Sequence, residues 1–172
     1  MTDLPDAAAD TSDAAGANAA ATAPVLVLDT NVVLDWLYFR DPRCTDLADA
    51  ITAGHVRWVA SAAMRDELAH VLGRGIRGDR RGDNVRILET WDRWVRHADA
   101  GGAPAPHNLR CTDADDQKFL DLAVQVRASA LLSADRAVLK LARRARTIGL
   151  SIVDLDGWTR QWRPAAGLTS PA

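Results

Sequence analysis

The stretch "VLVLDTN" at residues 25–31 decides how the chain is read. Four apolar residues in a row, ended by Asp29, have the pattern of a strand buried on both faces. An unpaired buried charge is costly, so Asp29 needs a reason to stand there. A parallel sheet offers one, because such sheets bind ligands where their strands end at the carboxyl edge. A second stretch, "ALLSAD" at 130–135, repeats the pattern and ends in Asp135.

Outward from these two stretches, strands and helices alternate. "NVVLDWLYF" (31–39) predicts a helix capped by Thr30 or Asn31, and a second helix runs to Ala53 and stops at Gly54. "VRWVA" (56–60) predicts the next strand. "SAAMRDELAHVL" (61–72) predicts a helix with Met64, Leu68, Val71 and Leu72 on one face. Residues 73–82 form a Gly/Arg loop, and 83–98 a helix with Val85, Leu88, Trp91 and Val95 at helical spacing. After a loop at 99–108 come a helix over 113–128, the strand ending in Asp135 and a helix over 136–149. A fourth strand at 150–155 and a short helix at 156–162 close the series. This alternation implies right-handed crossovers and a mostly parallel sheet covered on both faces, an α/β fold.

The 172 residues are enough for one domain with a proper core. Residues 1–24 are rich in Ala, Asp and Thr and lack the apolar bulk to offset ordering, which predicts a disordered tail. The expected division is tail 1–24, domain 25–163 and flexible tail 164–172. Net charge is −2, which gives no global bias toward nucleic acid. The first 24 residues hold four Asp and no cation, however, and without them 19 acids face 21 cations. All but two of those cations are Arg; Lys118 and Lys140 are the exceptions. Cys44 and Cys111 match no zinc spacing and are expected to be reduced thiols. No apolar run suits a signal peptide or a membrane span, so a cytoplasmic protein with no membrane partner is expected. His55, His70, His97 and His107 form no spaced ligand set.

Chemistry is expected where the carboxylates gather. Asp29 and Asp135 end strands, Glu67 lies in the helix after the second strand, and Asp113, Asp115 and Asp116 open the helix before the third. Four pieces of chain thus bring acids toward one sheet edge. Like charges raise one another's pKa, so a cluster calls for a cation among them. Mg²⁺ or Mn²⁺, one ion or two, suits carboxylate oxygens and keeps water for a substrate phosphate. Each acid also has a bland reading. Asp29 and Asp135 can be N-caps, "DADD" suits a helix dipole, and Glu67 beside Arg65 can be a solvated face.

In order, "VLDTNVVLDWL", "SAAMRDELAHVL", "CTDADDQKFLDLA" and "ALLSAD" resemble the PIN domain. More narrowly they resemble bacterial PIN proteins that are toxins of toxin–antitoxin systems. The resemblance spans 25–155. It implies a three-layer α/β/α sandwich and a divalent-metal-dependent nuclease, usually acting on RNA. By position it makes Asp29, Glu67, Asp116 and Asp135 the catalytic and metal-holding quartet. Asn31, Ser133 and Asp113 take supporting places. An antitoxin and a homodimer are the partners it implies. Arg136 directly after the last acid, the tail and "GWTRQW" depart from the pattern.

Arg74, Arg77, Arg80 and Arg81 in the Gly-spaced loop read equally well as an RNA backbone clamp or as solvated residues paired with Asp79 and Asp83. Among the six Trp, Trp36 and Trp58 fit the core, and one of Trp91 and Trp94 is open to an interface or a base. Other classes fit less well. A catalytically silent binding module, or a nuclease acting on DNA, stays open. A haloacid-dehalogenase-type phosphotransferase needs an Asp where Asn31 stands, and a P-loop motif is absent.

Overall fold

The computed structural model describes residues 23–76, 81–99 and 101–162, and of 81–83 the backbone only. The tails expected at 1–24 and 164–172 lie outside these residues, apart from Ala23 and Pro24. The Pro24 carbonyl accepts the Arg57 N–H at 2.8 Å, so strand pairing begins at the edge of the expected tail.

Five parallel strands form the sheet: β1 (Val25–Leu28), β2 (Arg57–Ala60), β3 (Arg96–His97), β4 (Ala130–Leu132) and β5 (Ser151–Val153). Their order is β3-β2-β1-β4-β5. β1 is central, with Leu26 opposite Trp58 on one side and Ala130 on the other. Helices on both faces cover it, and Val27 and Leu28 are fully buried. This explains the unbroken apolar run, since neither face of β1 meets water. The expected α/β class and parallel sheet are what the chain adopts.

Chain direction and strand order together locate a crevice. From β1 the chain moves outward to β2 and β3, then returns across β1 to β4 and β5. The order therefore reverses between β1 and β4, and a doubly wound sheet opens its ligand crevice at that point, beyond the strands' carboxyl ends.

The helices are α1 (Thr30–Leu34), α2 (Thr45–Thr52), α3 (Ala62–Gly73), α4 (Arg81–Trp94), α5 (Gln117–Gln125), α6 (Arg136–Leu139), α7 (Ala142–Ala145) and α8 (Leu155–Gln161). Helix α5 packs on β1 and β4, and α8 on β5. Trp58 on β2 is sealed between Trp36 and Trp91, with ring centroids at 5.6 and 4.7 Å.

Several expectations need correction. The helix at 31–39 turns α-helical for only five residues, then widens into a π-helical turn over Asp35–Phe39 that ends at Arg40 with φ 56°. The helix expected to reach 98 ends at Trp94, because Arg96 and His97 pair with Val59 and Ala60 as a fifth strand. Its inward face also differs: Ile87 and Trp91 are buried, whereas Val85 is 62% exposed. The helix expected from 113 begins at Gln117. The Asp113 Oδ1 accepts the Asp115 N–H at 2.9 Å, a local turn that competes with helical bonding. Residues 136–149 break into α6, α7 and a 3₁₀ turn, which Gly149 ends in the left-handed region.

Candidate active site

Asp29 is the N-cap of α1 and stands at the carboxyl end of the central strand, only 3% exposed. Its backbone N–H donates to the Leu132 carbonyl at 2.9 Å, which carries the β1–β4 ladder one residue past the strand. Its side chain has two donors. Asn31 N–H reaches Oδ1 at 3.3 Å, and Ser133 Oγ donates to Oδ2 at 2.5 Å. Burial pushes the Asp29 carboxyl above the ordinary carboxylate range; those hydrogen bonds hold it down, and the charge of Glu67 adds to the rise. The capping reading is therefore realised through Oδ1, while Oδ2 takes the bond from Ser133.

The β4 side is stitched to the same point. Ser133 Oγ also accepts the Asp135 N–H at 3.0 Å, and Asn31 Oδ1 accepts the Ala134 N–H at 3.0 Å. Residues 29–31 and 133–135 thus lock together across the reversal of strand order. Asp135 caps α6, its Oδ1 accepting the Ala137 N–H at 2.5 Å.

Asp116 precedes α5 and makes no side-chain cap bond. Its carboxyl is pushed up to about 6, by burial first and then by the negative charges of Asp29, Asp135 and Asp113. Asp113 is exposed and close enough to act on it. Glu67 comes from α3, where its Oε2 is closed off from solvent. Lys118 Nζ stands against that oxygen at 2.8 Å as an ion pair.

The structure therefore brings Asp29, Glu67, Asp116 and Asp135 to one edge from four separate segments, with Asp113 beside them. Among the described residues, no three His, Cys, Asp or Glu side chains stand close enough to enclose a metal ion as they are placed. Arg74 is exposed just past α3. Arg77 and Arg80 lie outside the described residues, as does the side chain of Arg81, so the loop clamp is not assembled here. Cys44 and Cys111 are free. Lys118 was not singled out from the sequence as part of this edge. Its signal was its place two residues after Asp116, in a chain with only two lysines.

The family model of the PIN domain matches residues 25–137, well over half of the chain. No curated protein matches. Among solved structures, the chain is similar to a chain of VapBC2 from Rickettsia felis bound to a DNA fragment from their promoter. Identity is 11%, the match covers 76% of this chain and 98% of that one, and the TM-score is 0.52. It is also similar to a chain of VapBC-1 from nontypeable Haemophilus influenzae, at 15% identity, with 77% and 98% covered and a TM-score of 0.51. At such identities the likeness concerns the fold, and the fold agrees with the family match. The chain belongs to the PIN-domain family, whose members are generally nucleases.

Proposed function

We propose that this protein is a divalent-metal-dependent endoribonuclease and the toxin component of a toxin–antitoxin pair. The proposal is carried by the convergence of Asp29, Glu67, Asp116 and Asp135 from four segments, where burial first and then the neighbouring negative charges push the Asp116 carboxyl up to about 6. A cluster of this kind gains by binding a cation. The donors fit Mg²⁺ or Mn²⁺: all are carboxylate oxygens, and Glu67 Oε2 is buried against a cation, the Lys118 ammonium. Asp29, Glu67, Asp116 and Asp135 would hold the ion or ions.

When bound, the metal supplies charge neutralisation at the scissile phosphate and an acidified water. The chain's residues do the rest. Ser133 and Asn31 fix the Asp29 carboxylate in direction. Asp116, whose carboxyl burial and neighbouring negative charges push up to about 6, is suited to take the proton of the attacking water. Asp113 adds a further negative charge beside it. In-line attack of water leaves a 5′-phosphate and a 3′-hydroxyl. Arg74, Arg77, Arg80 and Arg81 are proposed to bind the RNA backbone. The partners proposed are RNA, a cognate antitoxin and a second copy of the chain, with no membrane involved. The antitoxin rests on the motif resemblance and on the kinship with the VapBC chains. Among the described residues no helix is long and apolar enough to cross a membrane, and a cytoplasmic site of action is proposed.

One observation favours a second reading, a silent RNA- or protein-binding module: the carboxylates do not enclose an ion as they stand. The test uses single-stranded RNA, tRNA and DNA of matching sequence, with Mn²⁺ or Mg²⁺ and with EDTA. RNA cut only with metal, to 5′-phosphate ends, is the expected result. Cutting of DNA alone would move the substrate class. No cutting of any strand by folded protein would leave the binding reading.

A further inference from the structure

Lys118 places a fixed positive charge inside the acidic edge. It sits on the first turn of α5, two residues after Asp116, and its side chain is only 28% exposed. Three groups hold its ammonium: Glu67 Oε2 at 2.8 Å, the Asp115 carbonyl to which it donates, and the Phe119 ring at 4.9 Å from the centroid. Lys118 thus has partners besides Glu67: it pairs with Glu67 Oε2 as an ion pair, but also donates to the Asp115 carbonyl and faces the Phe119 ring. Glu67 can therefore leave the ammonium while Lys118 keeps a hydrogen-bond partner and an aromatic face.

We propose that Lys118 is a resident cation that a divalent ion must displace from Glu67, so that metal loading at this edge is an exchange of partners by Glu67. This rests on the metal-binding reading above. One of the four carboxylates is already engaged by an internal charge. A monovalent charge within a few ångströms of a divalent ion also opposes it directly in a partly dry site. Lys118 is thus a positioning residue that lowers metal affinity and offsets the charge of Glu67 until an ion arrives. A pair that served only to fasten α3 to α5 would have no such effect.

The test is calorimetric titration of Mn²⁺ into the metal-stripped full chain, in wild type, Lys118→Met and Lys118→Arg. Removing the charge is expected to tighten Mn²⁺ binding about tenfold, while Arg, which keeps it, stays within about twofold of wild type. Unchanged or weaker binding by folded Lys118→Met overturns the proposal, as does equal tightening by both variants. A wild type that binds no Mn²⁺ overturns the metal reading itself and this inference with it. A second measurement needs no variant. Because Lys118 and Lys140 are the only lysines, lysine-selective ¹³C labelling gives two side-chain NMR signals. Saturating Mg²⁺ is expected to shift that of Lys118 and leave that of Lys140. If Mg²⁺ binds and neither moves, the exchange does not occur.

Discussion

Asp116 shows how a single carboxyl couples the site to stability. Its folded-state pKa, about 6, lies above the ordinary 3.8, so the folded protein binds more protons than the unfolded chain between those values. Stability from this group is fully present below about pH 4 and is lost as pH rises through about 6. Asp29, also raised by burial, acts in the same direction. Asp41 and Asp92, lowered chiefly by hydrogen bonds from Arg43 and Arg65, act oppositely, so whole-protein melting curves blend both trends. Comparing variants isolates the effect. In EDTA, Asp116→Asn is expected to melt near wild type at pH 4 and progressively above it toward pH 7, with the gap constant beyond. Thermal denaturation across that range checks it, and a gap that shrinks with pH contradicts it. The placing of Asp29 and Asp135 at strand ends and of Asp116 near a helix start was legible in the sequence, because such ends are marked by composition. The clasp through Ser133 to Asp29, at a separation of 104 residues, was not legible: the family resemblance gave Ser133 a supporting place without naming its partner.

At the scale of elements, apolar runs and caps located the strands and helices, and their ends were set by partners that no local pattern shows. Arg96 and His97 are exposed and polar, so nothing in their composition marks a strand; they pair because β2 offers an open edge. The inward face of α4 is set by Trp91, which meets Trp58 edge-on, and this turns Ile87 inward and leaves Val85 in water. Trp91 is therefore a core residue, not a docking residue, and Trp94 is half-buried beneath Arg93. Truncating Trp91 to Ala removes the ring that seals Trp58 and is expected to cost about 3–5 kcal/mol. Urea unfolding followed by circular dichroism checks this, and a loss below about 1 kcal/mol would mean that α4 is not anchored there.

Across the whole molecule, the alternation of strands and helices was enough to give an α/β fold with a parallel sheet, since few topologies satisfy it. Strand order was not legible, because β1 and β4 carry the same apolar signature and either can be central. The order matters for function: placing β1 beside β4 sets Asp29 against Ser133 at the carboxyl ends of the strands, where strand order reverses. The fold then supplies what the acids need, a buried floor under Asp29 and separate segments that bring Glu67, Asp116 and Asp135 to its rim. That this rim works as a metal-dependent nuclease site, as proposed, is tested by the single-turnover rate of RNA cleavage in Mn²⁺ by wild type and by folded Asp116→Asn, with EDTA as control. Metal-dependent cleavage that falls by about 100-fold or more in the variant is expected. Cleavage by Asp116→Asn at the wild-type rate would show that the reaction does not take place at this site.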